Sequence, residues 1–183
     1  RREIKYDRLV STLPFPQLLD ICKLVYPDDV FSCNKVLVFN LGFDSKGNDK
    51  LNSWVYVPEK EFIFYRIGYY DNIMNTDRMS LYVEIGFSQK QEMLKEGLYL
   101  DRILSDLRKM GIITTQKLVD YEAVLMNPAY VHINKKSVET VEEYKEILEK
   151  NDIYSIGRYG SWTYCSIEDN ILEARELAEK LNK

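Results

Sequence analysis

The chain has 183 residues, with 25 Lys and Arg against 29 Asp and Glu, for a net charge of −4, and 45% of its residues are hydrophobic. That is about one domain's worth of chain, and the composition excludes disorder as its main state. No apolar run approaches the ~20 residues of a membrane-spanning helix, and the negative net charge argues against a nucleic-acid protein held by bulk charge.

The three cysteines, Cys22, Cys33 and Cys165, are odd in number and widely spaced. They form neither a disulfide framework nor a zinc site and read as reduced thiols of a cytoplasmic protein. A single histidine, His132, leaves multi-histidine metal sites out of reach. The chain opens at Arg1 with no initiator Met and no signal-peptide pattern, which raises the expectation of a piece of a longer protein.

In chain order, the β-rich segment Tyr6–Thr12 ends at Pro14 and Pro16, and Phe15, Leu18, Leu19 and Cys22 then recur at helical spacing. Strands are predicted over Lys35–Phe43, Trp54–Val57, Phe62–Ile67 and Ser80–Phe87, with turns between them. The longest helix is expected over Gln91–Met110, with Leu94, Leu98, Leu104 and Leu107 on one track, Asp101 as its exception and Gly111 as its C′ residue. A strand over Leu118–Met126 breaks at Asn127-Pro128 and resumes over Ala129–Ile133. A helix over Val138–Lys150, a strand over Ile153–Ile156, a tight turn over Gly157–Gly160 and a final helix over Ile167–Leu181 complete the chain. In that last helix Ile171, Ala174, Leu177, Ala178 and Leu181 share a face, and Ser166 with Asp169 forms a capping box. The fold class is α+β: an antiparallel sheet of five to six strands with packed helices, flanked at both ends by β-α pieces of a parallel sheet.

Three constellations are candidates for chemistry. In Gly157-Arg158-Tyr159-Gly160, a strand runs into a glycine turn and a capped helix. That geometry offers backbone N–H groups to an anion, with Arg158 as a planar, permanently charged donor. The alternative is an ordinary connection whose glycines permit positive φ and whose Arg forms a surface ion pair. The second constellation is aromatic: Trp54 and Tyr56, then Phe62, Phe64 and Arg66, the last three expected on one face of a strand. An Arg among aromatics suits a ring bearing a phosphate; the alternative is an Arg reaching out from the edge of the core. The third is Tyr130 with His132, where the histidine has no evident Asp or Ser partner and reads as a structural hydrogen-bonder.

Together, and in this order, several segments resemble the flavin amine oxidase and protoporphyrinogen oxidase superfamily, and within it the UDP-galactopyranose mutase-like branch. The carriers are Tyr6–Pro14, Phe64-Tyr65-Arg66-Ile67, Tyr130-Val131-His132-Ile133, and Ile156-Gly157-Arg158-Tyr159-Gly160 with Tyr164 after it. The resemblance implies FAD against Gly157, Arg158, Ser166 and Ile167, and a substrate against Arg66, Tyr130 and Tyr164, the two tyrosines at its diphosphate. Ser166 stands where the mutases tend to have an acidic residue, His132 where they have Pro, and Trp162 where they have Tyr.

No G-x-G-x-x-G can be assembled from the eight glycines, so the dinucleotide fingerprint is expected upstream of Arg1. The resemblance then divides the chain into a returning strand of an FAD-binding domain (1–14), a substrate-binding cap domain (15–134) and a C-terminal segment of the FAD domain (135–183). It implies an enzyme acting on a small molecule, a nucleotide sugar of surface polysaccharide (lipopolysaccharide) synthesis, with FAD held by the full-length protein rather than by this piece alone. The alternatives are a non-catalytic module that binds a nucleotide or glycan through its aromatic strand, and a structural interaction domain.

Overall fold

The computed structural model describes residues 3–182. In chain order they form β1 (Leu9–Ser11), α1 (Phe15–Ile21), β2 (Ser32–Phe43), β3 (Trp54–Tyr56), β4 (Arg66–Tyr69), α2 (Tyr70–Met74), β5 (Ser80–Ser88), α3 (Glu96–Lys109), β6 (Leu118–Met126), β7 (Val131–His132), α4 (Lys135–Glu149), β8 (Ile153–Ser155), α5 (Gly157–Gly160) and α6 (Ile167–Leu181). The chain divides into two compact units: Asn34–Ala129, and a discontinuous unit of Arg1–Cys33 with Tyr130–Lys183. The α+β expectation holds. The larger sheet is antiparallel in the order β3-β4-β5-β2-β6, with β7 as a sixth strand on the first residues of β2.

In the unit Asn34–Ala129, alternation along β2 buries Leu37, Phe39, Leu41 and Phe43. They meet β5 in register, with Leu37 opposite Ile85, Phe39 opposite Val83 and Leu41 opposite Leu81. Tyr99, Ile103 and Leu107 of α3 belong to the same core. Each such side chain contributes roughly 1.5–3 kcal/mol by leaving water.

The helix α3 departs from expectation in two ways. It starts at Glu96 rather than Gln91, and no side chain caps its start at Lys95; residues 91–95 offer no Ser, Thr, Asp or Asn for that role. Its buried stripe is Tyr99, Ile103, Asp106 and Leu107, whereas Leu94 and Leu98 are exposed. The stripe is turned because Asp106, fully buried, accepts hydrogen bonds from the Ile63 backbone N–H at 3.0 Å and Arg102 Nε at 2.9 Å.

The same carboxylate explains why the strand expected over Phe62–Ile67 shrinks to Arg66–Tyr69. An N–H committed to a side chain is lost to the ladder, and Arg102 holds the loop further through the Glu61 carbonyl at 2.5 Å. The shared face expected for Phe62, Phe64 and Arg66 is therefore overturned. Phe62 and Phe64 stack on each other at 6.4 Å, with Phe64 in the core. Arg66 alternates with the buried Ile67 and lies on the opposite side of the sheet.

In the discontinuous unit, β1 and β8 pair in parallel, Leu9 with Ile153 through Ser11 with Ser155, so the β-α pieces expected at the two ends of the chain meet each other. Phe15, Leu18 and Leu19 of α1 pack with Val141 and Leu148 of α4 and with Trp162. Gly160 is required by closeness: a Cβ there would lie 3.0 Å from Ser155 Oγ and 3.2 Å from the Ser11 carbonyl. The capping box of Ser166 and Asp169 is present. The face expected for α6 is not: Ile171, Ala174 and Ala178 are exposed, and the half-buried residues are Asn170, Glu173, Leu177 and Leu181. The helix is turned so that two polar side chains, Asn170 and Glu173, face the glycine turn.

Replacing Asp106 by Ala leaves the Ile63 N–H and the Arg102 guanidinium without their shared acceptor. The expected loss is about 2–4 kcal/mol of stability, read from the midpoint of urea unfolding, with Asp106→Asn losing less because one acceptor oxygen remains.

Candidate functional site

The glycine turn is built from the strand β8, the single helical turn α5 and the start of α6. Gly157 has φ +83°, a conformation that suits glycine. Its N–H donates to Glu173 Oε2 at 2.7 Å, and the Arg158 N–H donates to Asn170 Oδ1 at 3.0 Å. The other Glu173 oxygen accepts from Ser161 Oγ at 2.8 Å and lies 3.5 Å from Lys145 Nζ. The backbone donors read in the sequence as open to an anion are thus occupied by the chain's own side chains. Ser166 is engaged likewise: its N–H donates to Asp169 Oδ2 at 2.7 Å, and its hydroxyl accepts from the Asp169 N–H at 3.1 Å. Ile167 lies 82% exposed beside it.

With the backbone tied down, the turn projects one cation. The Arg158 guanidinium lies 4.4 Å from the centroid of Tyr164 and 5.3 Å from that of Tyr130. The two rings face each other at 6.4 Å with 23° between their planes. The structure therefore brings together three residues that the sequence assigned to two ligands, Arg158 to the cofactor and both tyrosines to the substrate. Arg158 Nε is buried and has no hydrogen-bond partner. Tyr164 is 69% exposed, so it is not a core residue. Trp162 is buried, with its ring 5.2 Å from that of Phe31. Cation–π contact fixes the guanidinium plane, at about 0.5–2 kcal/mol per pair. It leaves a planar cation flanked by two phenols, a donor set suited to phosphate oxygens.

Arg66 belongs to the other unit. It lies between Tyr56, at 5.9 Å, and Tyr82, at 5.8 Å, and is ion-paired to the buried Glu84, which also accepts from the Tyr65 hydroxyl. Burial disfavours the charged guanidinium, but hydrogen bonds to Glu84 and Tyr56 and the charge of Glu84 outweigh it and hold Arg66 more firmly protonated than usual. The Tyr82 ring occupies the space a side chain at Gly68 would need, 1.8 Å from its Cβ position. The arrangement is an Arg with a built-in counter-ion on an aromatic sheet face.

His132 hydrogen-bonds Ser32 through Nδ1 at 2.9 Å. Cys22 and Cys165 are half-buried free thiols, and Cys33 is buried. Among the described residues no helix is long and apolar enough to cross a membrane.

The sequence reading missed Glu84, Asn170 and Glu173. A signal for Glu84 was available, an acid inside the otherwise apolar, aromatic run Leu81–Ile85. For Asn170 and Glu173 it was helical spacing with Leu177 and Leu181. Replacing Arg66 by Ala strands the Glu84 carboxylate in the sheet; the chain is expected to lose about 1–3 kcal/mol of stability, seen as a lower melting temperature in a thermal scan of the purified chain.

No family model matches this chain, and no curated protein matches it. Solved structures do. A reduced UDP-galactopyranose mutase superposes with a TM-score of 0.71 at 23% identity, over 88% of this chain and 37% of that one. A protein assigned as a protoporphyrinogen oxidase from Exiguobacterium sp. 255-15 superposes at 0.74 with 14% identity, over 96% and 41%. A CLA-producing fatty acid isomerase from P. acnes superposes at 0.61 with 13% identity, over 95% and 41%. The chain thus spans about two fifths of the length of each. The fold of this chain is a portion of the fold these three share.

Proposed function

We propose that this chain is the substrate-binding and C-terminal portion of a cytoplasmic, FAD-dependent enzyme that is UDP-galactopyranose mutase-like and acts on a nucleotide sugar in lipopolysaccharide synthesis. In this reading residues 15–134 are the cap domain, and 1–14 and 135–183 belong to the FAD-binding domain. The observation that supports it is the Arg158 guanidinium lying against the rings of both Tyr130 and Tyr164, a cation and two phenols of the kind that suit a diphosphate, on a fold shared with a UDP-galactopyranose mutase.

The residues proposed for FAD fit it unequally. The donors of Gly157 and Ser166 are satisfied within the chain. Arg158 retains an unpartnered Nε–H, and Ile167 presents an apolar side chain outward, features that suit a phosphate oxygen and a flavin ring edge respectively. When bound, FAD supplies the redox or nucleophilic chemistry. The chain's own residues bind and orient: Tyr130 and Tyr164, with Arg158 beside them, grip the diphosphate, and Arg66, paired with Glu84, is the further residue proposed for the substrate. Without the glycine fingerprint, the 183-residue chain has no pyrophosphate cradle. Purified alone, it is expected to be colourless; a yellow preparation with stoichiometric flavin would overturn that.

A second reading, a nucleotide- or glycan-binding module without catalysis, draws on the exposed Trp54 and Tyr56 beside Arg66. Bound flavin in the longer protein discriminates the two.

Titrating UDP into the chain and its Tyr164→Phe variant, at one fixed salt concentration, tests the diphosphate role. Removing only the hydroxyl is expected to weaken binding by about two- to tenfold, with the melting temperature unchanged. Equal affinities would remove Tyr164 from the site and with it the argument for a nucleotide sugar.

A further inference from the structure

Trp162 combines three features that are each unfavourable for a tryptophan. Its φ is +45°, the left-handed region, where a Cβ crowds the backbone and glycine is the usual occupant. It follows Ser161, the C-cap of α5. There the Trp162 N–H donates to the Tyr159 carbonyl at 3.2 Å and the Thr163 N–H to the Arg158 carbonyl at 3.0 Å, the paired bonds of a helix end that ordinarily closes on glycine. The residue is 4% exposed, and its Nε1–H is buried with no hydrogen-bond partner, which leaves a desolvated donor unsatisfied. A bulky ring persists in such a backbone position only where its surroundings over-determine it.

Those surroundings are an aromatic core. The Trp162 ring meets Phe31 edge-on at 5.2 Å, and Phe31 in turn meets Phe15 at 5.9 Å and Tyr26 at 5.4 Å. Leu148 of α4 belongs to the same core, and Val131 packs against it. Val131 adjoins Tyr130, and Trp162 lies two residues before Tyr164. Both phenols that lie against Arg158 are therefore carried by backbone anchored in one core. The Arg158 carbonyl is tied through Thr163 to the residue next to Tyr164. A residue 162 that relaxed to right-handed or extended backbone would redirect the chain and carry the Tyr164 ring away from the guanidinium.

We propose that Trp162 is a positioning residue of the Arg158 cluster: its anchored indole holds residue 162 left-handed and thereby sets the Tyr164 ring 4.4 Å from the Arg158 guanidinium. Its value for binding rests on the reading of this cluster as a phosphate site, whereas the positioning itself is measured without ligand. Because the indole N–H has no partner, the role depends on a flat ring seated in the core, and Phe can take it.

The test compares the purified wild-type chain with Trp162→Leu, Trp162→Phe and Leu148→Ala, the last removing bulk from the same core away from the turn. The Arg158 Nε–H resonance, assigned by its loss in Arg158→Lys, is recorded without ligand and then with inorganic pyrophosphate. In wild type and Trp162→Phe it is expected at a position displaced by the ring currents of the two tyrosines. In Trp162→Leu it is expected to move to the position of solvated arginines, with the pyrophosphate dissociation constant raised about tenfold. Leu148→Ala is expected to lower the melting temperature and leave the resonance in place. Should Trp162→Leu not fold, Phe31→Leu, which removes the ring that the indole packs on, reads the same displacement. An unmoved resonance in Trp162→Leu overturns the inference, as does an equal displacement in Leu148→Ala. A resonance that moves as expected in a chain that binds no pyrophosphate upholds the positioning and removes the phosphate reading.

Discussion

The bonds from Glu173 and Asn170 to the Gly157–Arg158 backbone are what the candidate site depends on. A glycine turn running into a capped helix ordinarily presents free N–H groups and a positive helix end. Here a carboxylate from the first half of α6 fills that position, held in turn by Ser161 and Lys145. Two consequences follow. The face of α6 that packs inward is set by polar residues, so Ile167 and Ile171 stay exposed. The cationic group left at the turn is the Arg158 side chain, which lies against the Tyr130 and Tyr164 rings.

Buried carboxylates organise the other unit as well. Asp106 ties α3 to the loop before β4, and Glu84 ties Arg66 and Tyr65 to β5. Each is a polar group inside an apolar layer, tolerable because it is paired and costly to unpair. Each also fixes a functional candidate. Asp106 ends the loop that precedes β4, and Glu84 sets the guanidinium of Arg66 between two tyrosine rings. The aromatic sheet face is therefore rigid by construction: Tyr82 lies over Gly68, where any other residue would collide with it.

Features that rest on local chemistry were legible in the sequence. The Ser166 capping box, Gly111 after α3 with φ +71° and the strand Leu118–Met126 need only near neighbours. The parallel character of the two terminal β-α pieces was expected from the order of elements, although their pairing with each other was not. What escaped were features decided by partners far along the chain. Asp106 bonds Ile63 across 43 positions, and that one contact shortens a strand and turns a helix. For α6 the expected apolar face was split: Leu177 and Leu181 are half-buried whereas Ile171, Ala174 and Ala178 are exposed, because Asn170 and Glu173 accept hydrogen bonds from the glycine turn and set the rotation of the helix. Arg158 was singled out on the glycine turn, Tyr130 beside His132, and Tyr164 by resemblance; their union into one cluster was visible only in three dimensions.

The central claim is that Arg158, flanked by two tyrosines, is the phosphate-recognising group of this chain. Its buried, unpartnered Nε–H gives a direct reporter in a proton–nitrogen correlation spectrum of the arginine side chains. The account predicts that this resonance moves on addition of UDP or inorganic pyrophosphate and stays in place with uridine. A resonance that ignores pyrophosphate, or responds equally to uridine, would contradict it.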